Sequence, residues 1–232
     1  MLKKFAALFL IVIISCVIFG DEDNPITVRS IKGKAFVRHG VSENWIELKN
    51  GDLLKKEDTI VSNANSKVIL NLEGRKVFIL NQEVYLDIAD IRNVPENIIL
   101  MMMTREELNR IPRSKNKNVT KGNVSVIHGR MIPGLSDEAG NEETLLKYKI
   151  NGISSLIENG FESSAVIKYG ELEEKIAGNL DYIPVSLKVA EILTDKKFLG
   201  NAKRIYKTIS DKFPESPYAG TSADLLKKLR DR

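Results

Sequence analysis

Residues 26–88 alternate apolar and polar side chains with a period of two, as half-buried β-strands do. Turn residues such as Asn50-Gly51-Asp52 and Glu73-Gly74 separate the alternating segments, because glycine accepts a positive φ and the flanking side chains can bond the turn backbone. Roughly eight to twelve residues between turns leave no room for a helical crossover. The pattern therefore predicts an antiparallel sandwich or rolled sheet with strands at 26–31, 35–37, 46–48, 67–72, 77–80 and 84–88.

From Glu142 onward the apolar residues follow the spacing of helices, and the segment repeats itself at an offset of 37 residues. The matching positions of the two copies are Leu156, Phe161, Ala165, Tyr169 and Leu172 in the first and Leu193, Phe198, Ala202, Tyr206 and Ile209 in the second. Residues 222–229 add a last amphipathic helix that covers the second copy. The pattern predicts about five stacked helices.

The pattern weakens between the two periodic regions. Residues 98–103 form an apolar run compatible with a final buried strand, and Thr104 to Glu107 has the capping-box form of a short helix that stops at Pro112. Residues 119–127 resemble one more hairpin. Residues 131–141 contain proline and glycines typical of a linker.

The amino terminus has the form of a secretory signal. Lys3 and Lys4 precede an apolar run from Phe5 to Phe19 without a charged residue. Fifteen helical residues span only about 22 Å, short of the roughly 30 Å of the hydrocarbon layer, which favours cleavage over a permanent anchor. The sequence therefore predicts export, with a signal peptide at 1–20.

Cys16, which is the only cysteine of the chain, offers a second way to process this signal. Residues 13–16, Ile-Ile-Ser-Cys, match the lipobox of bacterial lipoproteins, and this resemblance implies lipidation of Cys16 after a signal at 1–15. The apolar run continues to Phe19, so cleavage after Gly20 and an uncleaved anchor stay open. In every case the chain has no internal disulfide.

The β-patterned half shares a set of short segments with a known family. They are residues 33–38, 45–52, 58–60 with Ser62, 66–72, and Gly74 with 77–80. In these residues the chain resembles the FecR-type extracytoplasmic domain. The resemblance implies an all-β domain at 26–130 that binds a protein or glycan partner in the periplasm.

The helical half carries a second resemblance. Ala202 and Tyr206 are spaced one helical turn apart, and Lys-Phe-Pro-Glu-Ser-Pro-Tyr-Ala follows at 212–219. These residues are similar to the tetratricopeptide (TPR) repeat, which implies a helical solenoid at 142–232 that acts as a scaffold for protein partners. The first copy departs from the pattern, because Ala177 stands where the second has Pro214 and glycines weaken its helices.

Candidate chemistry is sparse. His39 and His128 are the two histidines, each beside a glycine in a predicted loop with no visible partner, and neither zinc-ligand spacing nor a phosphate-binding or nucleophile motif is present. Trp45 could stack on a ligand, but a position at the core edge is favoured. The sequence predicts no enzyme, catalytic residue, cofactor or metal, and it assigns no partner-binding residue.

Charge excludes one further class of partner. The formal net charge of +4 falls to about +2 if a signal peptide removes Lys3 and Lys4, and bases and acids are interspersed along the chain. No nucleic-acid surface is predicted.

Together these patterns predict an α+β protein of two domains. An all-β FecR-like sandwich or roll at 26–130 is joined by the linker at 131–141 to a TPR-like solenoid at 142–232. We expect a non-enzymatic cell-envelope protein in the periplasm, held at the membrane by its signal anchor or a lipid, whose partners are envelope proteins and, as another option, peptidoglycan or polysaccharide. The alternative is an extracytoplasmic sensor or regulator of FecR-type signalling, although only four residues precede the apolar run to hold a cytoplasmic sigma factor.

Overall fold

The computed structural model describes residues 26–110 and 142–230. Within them the amino-terminal part forms eight β-strands, here called the β unit. The strands are β1 Ile26–Lys32, β2 Ala35–Arg38, β3 Trp45–Glu47, β4 Leu53–Leu54, β5 Thr59–Ser62, β6 Lys67–Asn71, β7 Val77–Leu80 and β8 Val84–Asp87. All six segments that the alternation predicted contain a strand. The alternation missed β4, which has two residues, and β5, whose residues are buried on both faces.

The eight strands form two antiparallel sheets of four. The first sheet has the order β4-β1-β6-β7, and the second has the order β3-β2-β5-β8. Alternate residues of both sheets point into one hydrophobic cluster, for example Val28 and Leu70 from the first sheet and Val37 and Ile60 from the second. The period of two thus sets the buried face of strands such as β6 and β7.

The predicted turn at Asn50-Gly51-Asp52 is present. Gly51 has a φ of 89°, which is the left-handed conformation that favours glycine. The Asp52 Oδ2 accepts a hydrogen bond of 2.8 Å from the Lys49 backbone N–H. This turn connects β3 of the second sheet to β4, which lies at the edge of the first sheet.

Six α-helices follow within the described residues. They are α1 Glu96–Arg110, α2 Glu142–Glu158, α3 Glu162–Ile176, α4 Ile183–Asp195, α5 Leu199–Lys212 and α6 Pro217–Arg230. Helices α2 to α6, here called the helical unit, agree with the predicted number of five, and each packs against the next in the chain. The fold is therefore α+β, with two antiparallel sheets followed by a helical region.

The prediction of a final strand at 98–103 is wrong, because these residues lie inside α1. The side chains of Ile98, Ile99 and Met102 pack on the core, whereas Leu100 and Met101 are exposed. That spacing belongs to one face of a helix and not to a strand, in which alternate residues would be buried. Thr104 is correspondingly mid-helix and bonds back to the Leu100 carbonyl instead of capping a helix.

The β unit and the helical unit share one hydrophobic core, whose buried residues come from both sheets and from α1 to α6. Helix α2 lies directly on β8, where Gly152 brings the helix so close that a Cβ would come within 2.4 Å of the Tyr85 carbonyl oxygen. Phe78 of β7 packs against Phe161 at a centroid distance of 5.5 Å. The units are therefore held by close backbone packing as well as by side chains.

Hydrogen bonds from side chains reinforce this attachment. The Asn159 side chain accepts a bond of 2.8 Å from the Ile79 N–H and donates one of 3.0 Å to the Ile79 carbonyl, so it occupies the open edge of β7. Ser164 of α3 donates its hydroxyl to the Arg92 carbonyl at 2.9 Å. Both contacts lie between residues at least 70 positions apart in the chain.

Several predictions fall on residues 1–25 and 111–141, outside the described part of the chain. They concern the signal peptide, Cys16, the hairpin at 119–127 and the linker at 131–141. Among the residues that the structure does describe, no helix combines the length and the apolar composition needed to cross a bilayer.

Candidate functional site

A row of polar side chains crosses the outer face of the second sheet. Arg38, Thr59 and Asp87 lie opposite one another on β2, β5 and β8. The Arg38 Nη2 donates to the Thr59 Oγ1 at 3.2 Å and to the Tyr85 hydroxyl at 3.3 Å, and the Thr59 hydroxyl donates to the Asp87 Oδ1 at 2.8 Å. The row is thus a continuous hydrogen-bonded chain that ends at the Asp87 carboxylate.

Aromatic rings and cations alternate beside this row. The Arg38 guanidinium lies 5.4 Å from the Trp45 ring centroid, and the Lys149 Nζ lies 5.4 Å from that of Tyr85. The two rings meet edge to face at 6.4 Å. Trp45 is half-buried in a small cluster with Val61 and Tyr148, so it anchors the outer face of the sheet and not the main core.

Asp87, at the end of this row, also belongs to a charged cluster between the β unit and α3. The Lys168 Nζ lies 3.4 Å from Asp87, 3.1 Å from Asp90 and 3.3 Å from Glu171. Burial opposes the charge of Lys168, but the carboxylates of Asp90, Glu171 and Asp87 outweigh it and raise the lysine pKa above its ordinary value. The lysine therefore stays protonated and links α3 to the end of β8 and to the short 3-10 helix Ile88–Asp90 that follows it.

Asp90 behaves differently from its neighbours. Burial raises the pKa of this carboxyl to about 6, even though Lys168 acts in the opposite direction. Asp87 and Glu171 also face it and add to the upward shift. The charge of the cluster consequently changes in the mildly acidic range.

These groups surround a cavity of about 100 Å³ between β8, α2 and α3, which we call the seam cavity. Its polar wall and apolar floor come from both units. The lining residues are Tyr85, Leu86, Asp87, Asp90, Lys149, Gly152, Ile153, Leu156, Lys168, Glu171 and Leu172. The seam cavity is a concave site that both units build together.

We expect the free energy of unfolding of the Asp90→Asn variant to increase relative to that of the wild type as the pH rises from about 4 to about 7. Because folding raises the pKa of Asp90, its ionisation costs the folded state stability; the penalty is absent below the unfolded pKa and complete above about 6. The asparagine cannot ionise. Urea unfolding at several pH values measures the difference, and a difference independent of pH would contradict the assignment.

His39, which the sequence singled out as a candidate, does not line the seam cavity. His39 is half-exposed, and its Nδ1 lies 3.0 Å from the buried Asp58 carboxylate, a partner that the sequence did not reveal. Asp58 also accepts from the Lys55 N–H at 2.9 Å, as a turn residue does. Cys16 and His128 lie outside the described residues. No group of metal-binding side chains occurs among the residues at 26–110 and 142–230.

No family model, curated protein or solved structure matches the chain.

Proposed function

We propose that the chain is a non-enzymatic protein of the cell envelope. Its FecR-like β domain binds a protein or glycan partner, and its TPR-like repeats are a scaffold for another protein. The observation that carries the proposal is a repeated face of the helical unit, occupied by the β unit in the first copy and open in the second.

The two copies have the same helix-to-helix turn. Gly160 and Lys197 have φ values of 82° and 67°. The N–H groups of Phe161 and Phe198 bond the carbonyls five residues earlier, each at 2.8 Å, as in a Schellman motif. Equal turns at an offset of 37 residues support equivalent helix pairs, α2 with α3 and α4 with α5.

One face of α2 already holds a peptide segment. This first stripe consists of Lys147, Asn151, Ser154 and Glu158. Asn151 donates to the Glu83 carbonyl at 2.9 Å, Lys147 pairs with the Glu83 carboxylate at 2.7 Å, and the Asn81 amide donates to Glu158 at 3.2 Å. The first stripe therefore binds the turn between β7 and β8 through the backbone and the side chains of that turn.

The same face recurs 37 residues later on α4. This second stripe consists of Pro184, Lys188, Glu191 and Asp195, and all four residues are exposed. Between Lys188, Glu191 and Asp195 lie buried pairs, 189/190 and 192/193, that correspond to the buried pairs 152/153 and 155/156 on α2. None of the three charged side chains forms an ion pair with another described residue. The second stripe supports binding of a turn or an extended segment that carries an amide or a cation.

The test reverses the charge of the second stripe in the full chain. Deletion of residues 142–232 is unsuitable, because α2 belongs to the shared core. We expect Glu191→Lys with Asp195→Lys to recover a cross-linked envelope protein at least about ten-fold less efficiently than the wild type. The matched control is Glu174→Lys with Asp224→Lys, which changes the same charge at exposed positions elsewhere. Equal recovery by the two double variants would refute a partner on the second stripe.

Two further measurements address the ligand class and the membrane. Sedimentation with purified peptidoglycan separates glycan binding from protein binding, since only the former carries the protein into the pellet. The intact mass of protein from membranes distinguishes lipid on Cys16, cleavage after Gly20 and an uncleaved signal anchor, which are the proposed routes to the periplasmic side of a membrane.

The geometry of the seam cavity favours a second candidate function, an extracytoplasmic sensor or regulator of FecR-type signalling. Lys168 and three carboxylates join the β unit to α3 around an open space. A ligand in that space would change the contacts between the two units, which is the property that a sensor requires.

A further inference from the structure

The seam cavity has room for a very small organic molecule. Its volume of about 100 Å³ exceeds the roughly 10–15 Å³ that one water molecule needs. Ile153, Leu156 and Leu172 provide an apolar floor, and charged side chains stand at its rim. An apolar floor with a few convergent polar groups is typical of ligand pockets.

The lining of the cavity contains more carboxylates than the ammonium beside them can balance. Asp87, Asp90 and Glu171 share a single ammonium, that of Lys168, at distances of 3.1 to 3.4 Å. Each ionised carboxylate can accept several hydrogen bonds, and Lys168, together with the Thr59 hydroxyl on Asp87, uses only part of that capacity. A second ammonium group would be stabilised at this negative pole.

Lys149 adds a second cation to the lining of the cavity. Lys149 projects from α2 over the Tyr85 ring, and among the described residues no carboxylate forms an ion pair with it. Burial lowers the pKa of Lys149, with a smaller opposing effect of Asp87. A partly desolvated ammonium gains most from an anionic group placed beside it.

We propose that the seam cavity binds a small zwitterion, an α-amino acid with a short side chain. Its carboxylate pairs with Lys149, its ammonium pairs with the negative pole of Asp87 and Glu171, and its side chain lies on the apolar floor. The site goes beyond the proposed scaffold function and does not depend on the second stripe, which lies on α4 and contributes no residue to the cavity. Occupancy would bridge β8, α2 and α3.

Calorimetric titration of the purified full-length protein tests the charge pattern. The probes are alanine, propionate, which lacks the ammonium, and ethylamine, which lacks the carboxylate. We expect alanine to bind at least about ten-fold more tightly than either of the others. Alanyl-alanine, whose two charges are on different residues, should also bind more weakly. Binding of propionate or ethylamine as tight as that of alanine, or no heat with alanine at tens of millimolar, would overturn the proposal.

Variants on α2 assign the carboxylate pole. Lys149→Gln should weaken alanine binding by at least about ten-fold, and Lys149→Arg, which keeps the charge, should retain most of the affinity. The matched control is Lys147→Gln on the same helix, because Lys147 pairs with Glu83 outside the cavity. Equal loss of binding in the Lys147 and Lys149 variants would contradict the assignment. If Lys149→Gln loses alanine binding but still recovers the cross-linked envelope protein as the wild type does, this site is distinct from the proposed scaffold surface.

Discussion

We expect Phe78→Ala to lower the free energy of unfolding by about 3–5 kcal/mol, the usual cost of removing a buried aromatic ring. Phe78 is fully buried in β7, and its ring packs against Phe161, the residue that immediately precedes α3. The alanine would leave a cavity where the first sheet meets the first helix pair. The β unit and the helical unit should therefore both lose stability.

Urea unfolding followed by circular dichroism measures this effect, and the neighbouring residue provides the control. Val77 precedes Phe78 in the same strand, but its side chain is 40% exposed. Val77→Ala should cost less than about 1 kcal/mol, which reflects strand preference more than packing. If the two alanine variants had equal stability, Phe78 would not hold the units together.

The second large effect is expected from Gly152→Leu, with a loss of about 3 kcal/mol, near the upper end for overpacked cores. A Cβ at this position would lie 2.4 Å from the Tyr85 carbonyl oxygen, and a backbone atom of β8 cannot move aside as a flexible side chain would. The substitution should push α2 away from β8. It should also deform the seam cavity, which Gly152 lines.

Gly220→Leu is the matched control for this variant. Gly220 also lies in a helix, α6, but an added Cβ would meet no atom within 4 Å. Leucine is the better helix former, so this variant should be as stable as the wild type or more stable by roughly 0.5–1 kcal/mol. Thermal unfolding of the two variants side by side gives the comparison, and a neutral Gly152→Leu would disprove the close approach of α2 to β8.

Local patterns were sufficient where a side chain's burial depends on its own element. Alternation predicted the buried face of β6, and the 37-residue offset predicted that Leu156 and Leu193, like Ala165 and Ala202, are buried. In β1 the alternation held only as far as Val28, because a bulge between Val28 and Ser30 turns Ile31 toward the core. The apolar run at 98–103 was ambiguous for a physical reason, since a short run without polar residues has no period to distinguish strand from helix. In the structure these residues form α1, which contacts α3. A pattern within residues 98–103 contains no information about that contact.

The candidate site was beyond prediction because its parts come from distant elements. Asp87 and Lys168 are 81 residues apart, and nothing in either segment indicates that β8 and α3 meet. One signal was present but was interpreted only as a defect of the helix. Gly152 weakens α2 in isolation, yet a glycine on an otherwise buried helix face indicates a close backbone neighbour.

Because the β unit and the helical unit share one core, they should unfold together. Trp45, the only tryptophan, reports on the β unit by fluorescence, and far-ultraviolet circular dichroism reports mainly on the helices. In one urea titration we expect the two signals to give the same midpoint and the same slope. Two separate transitions, with the helices or the sheets melting first, would contradict a shared core.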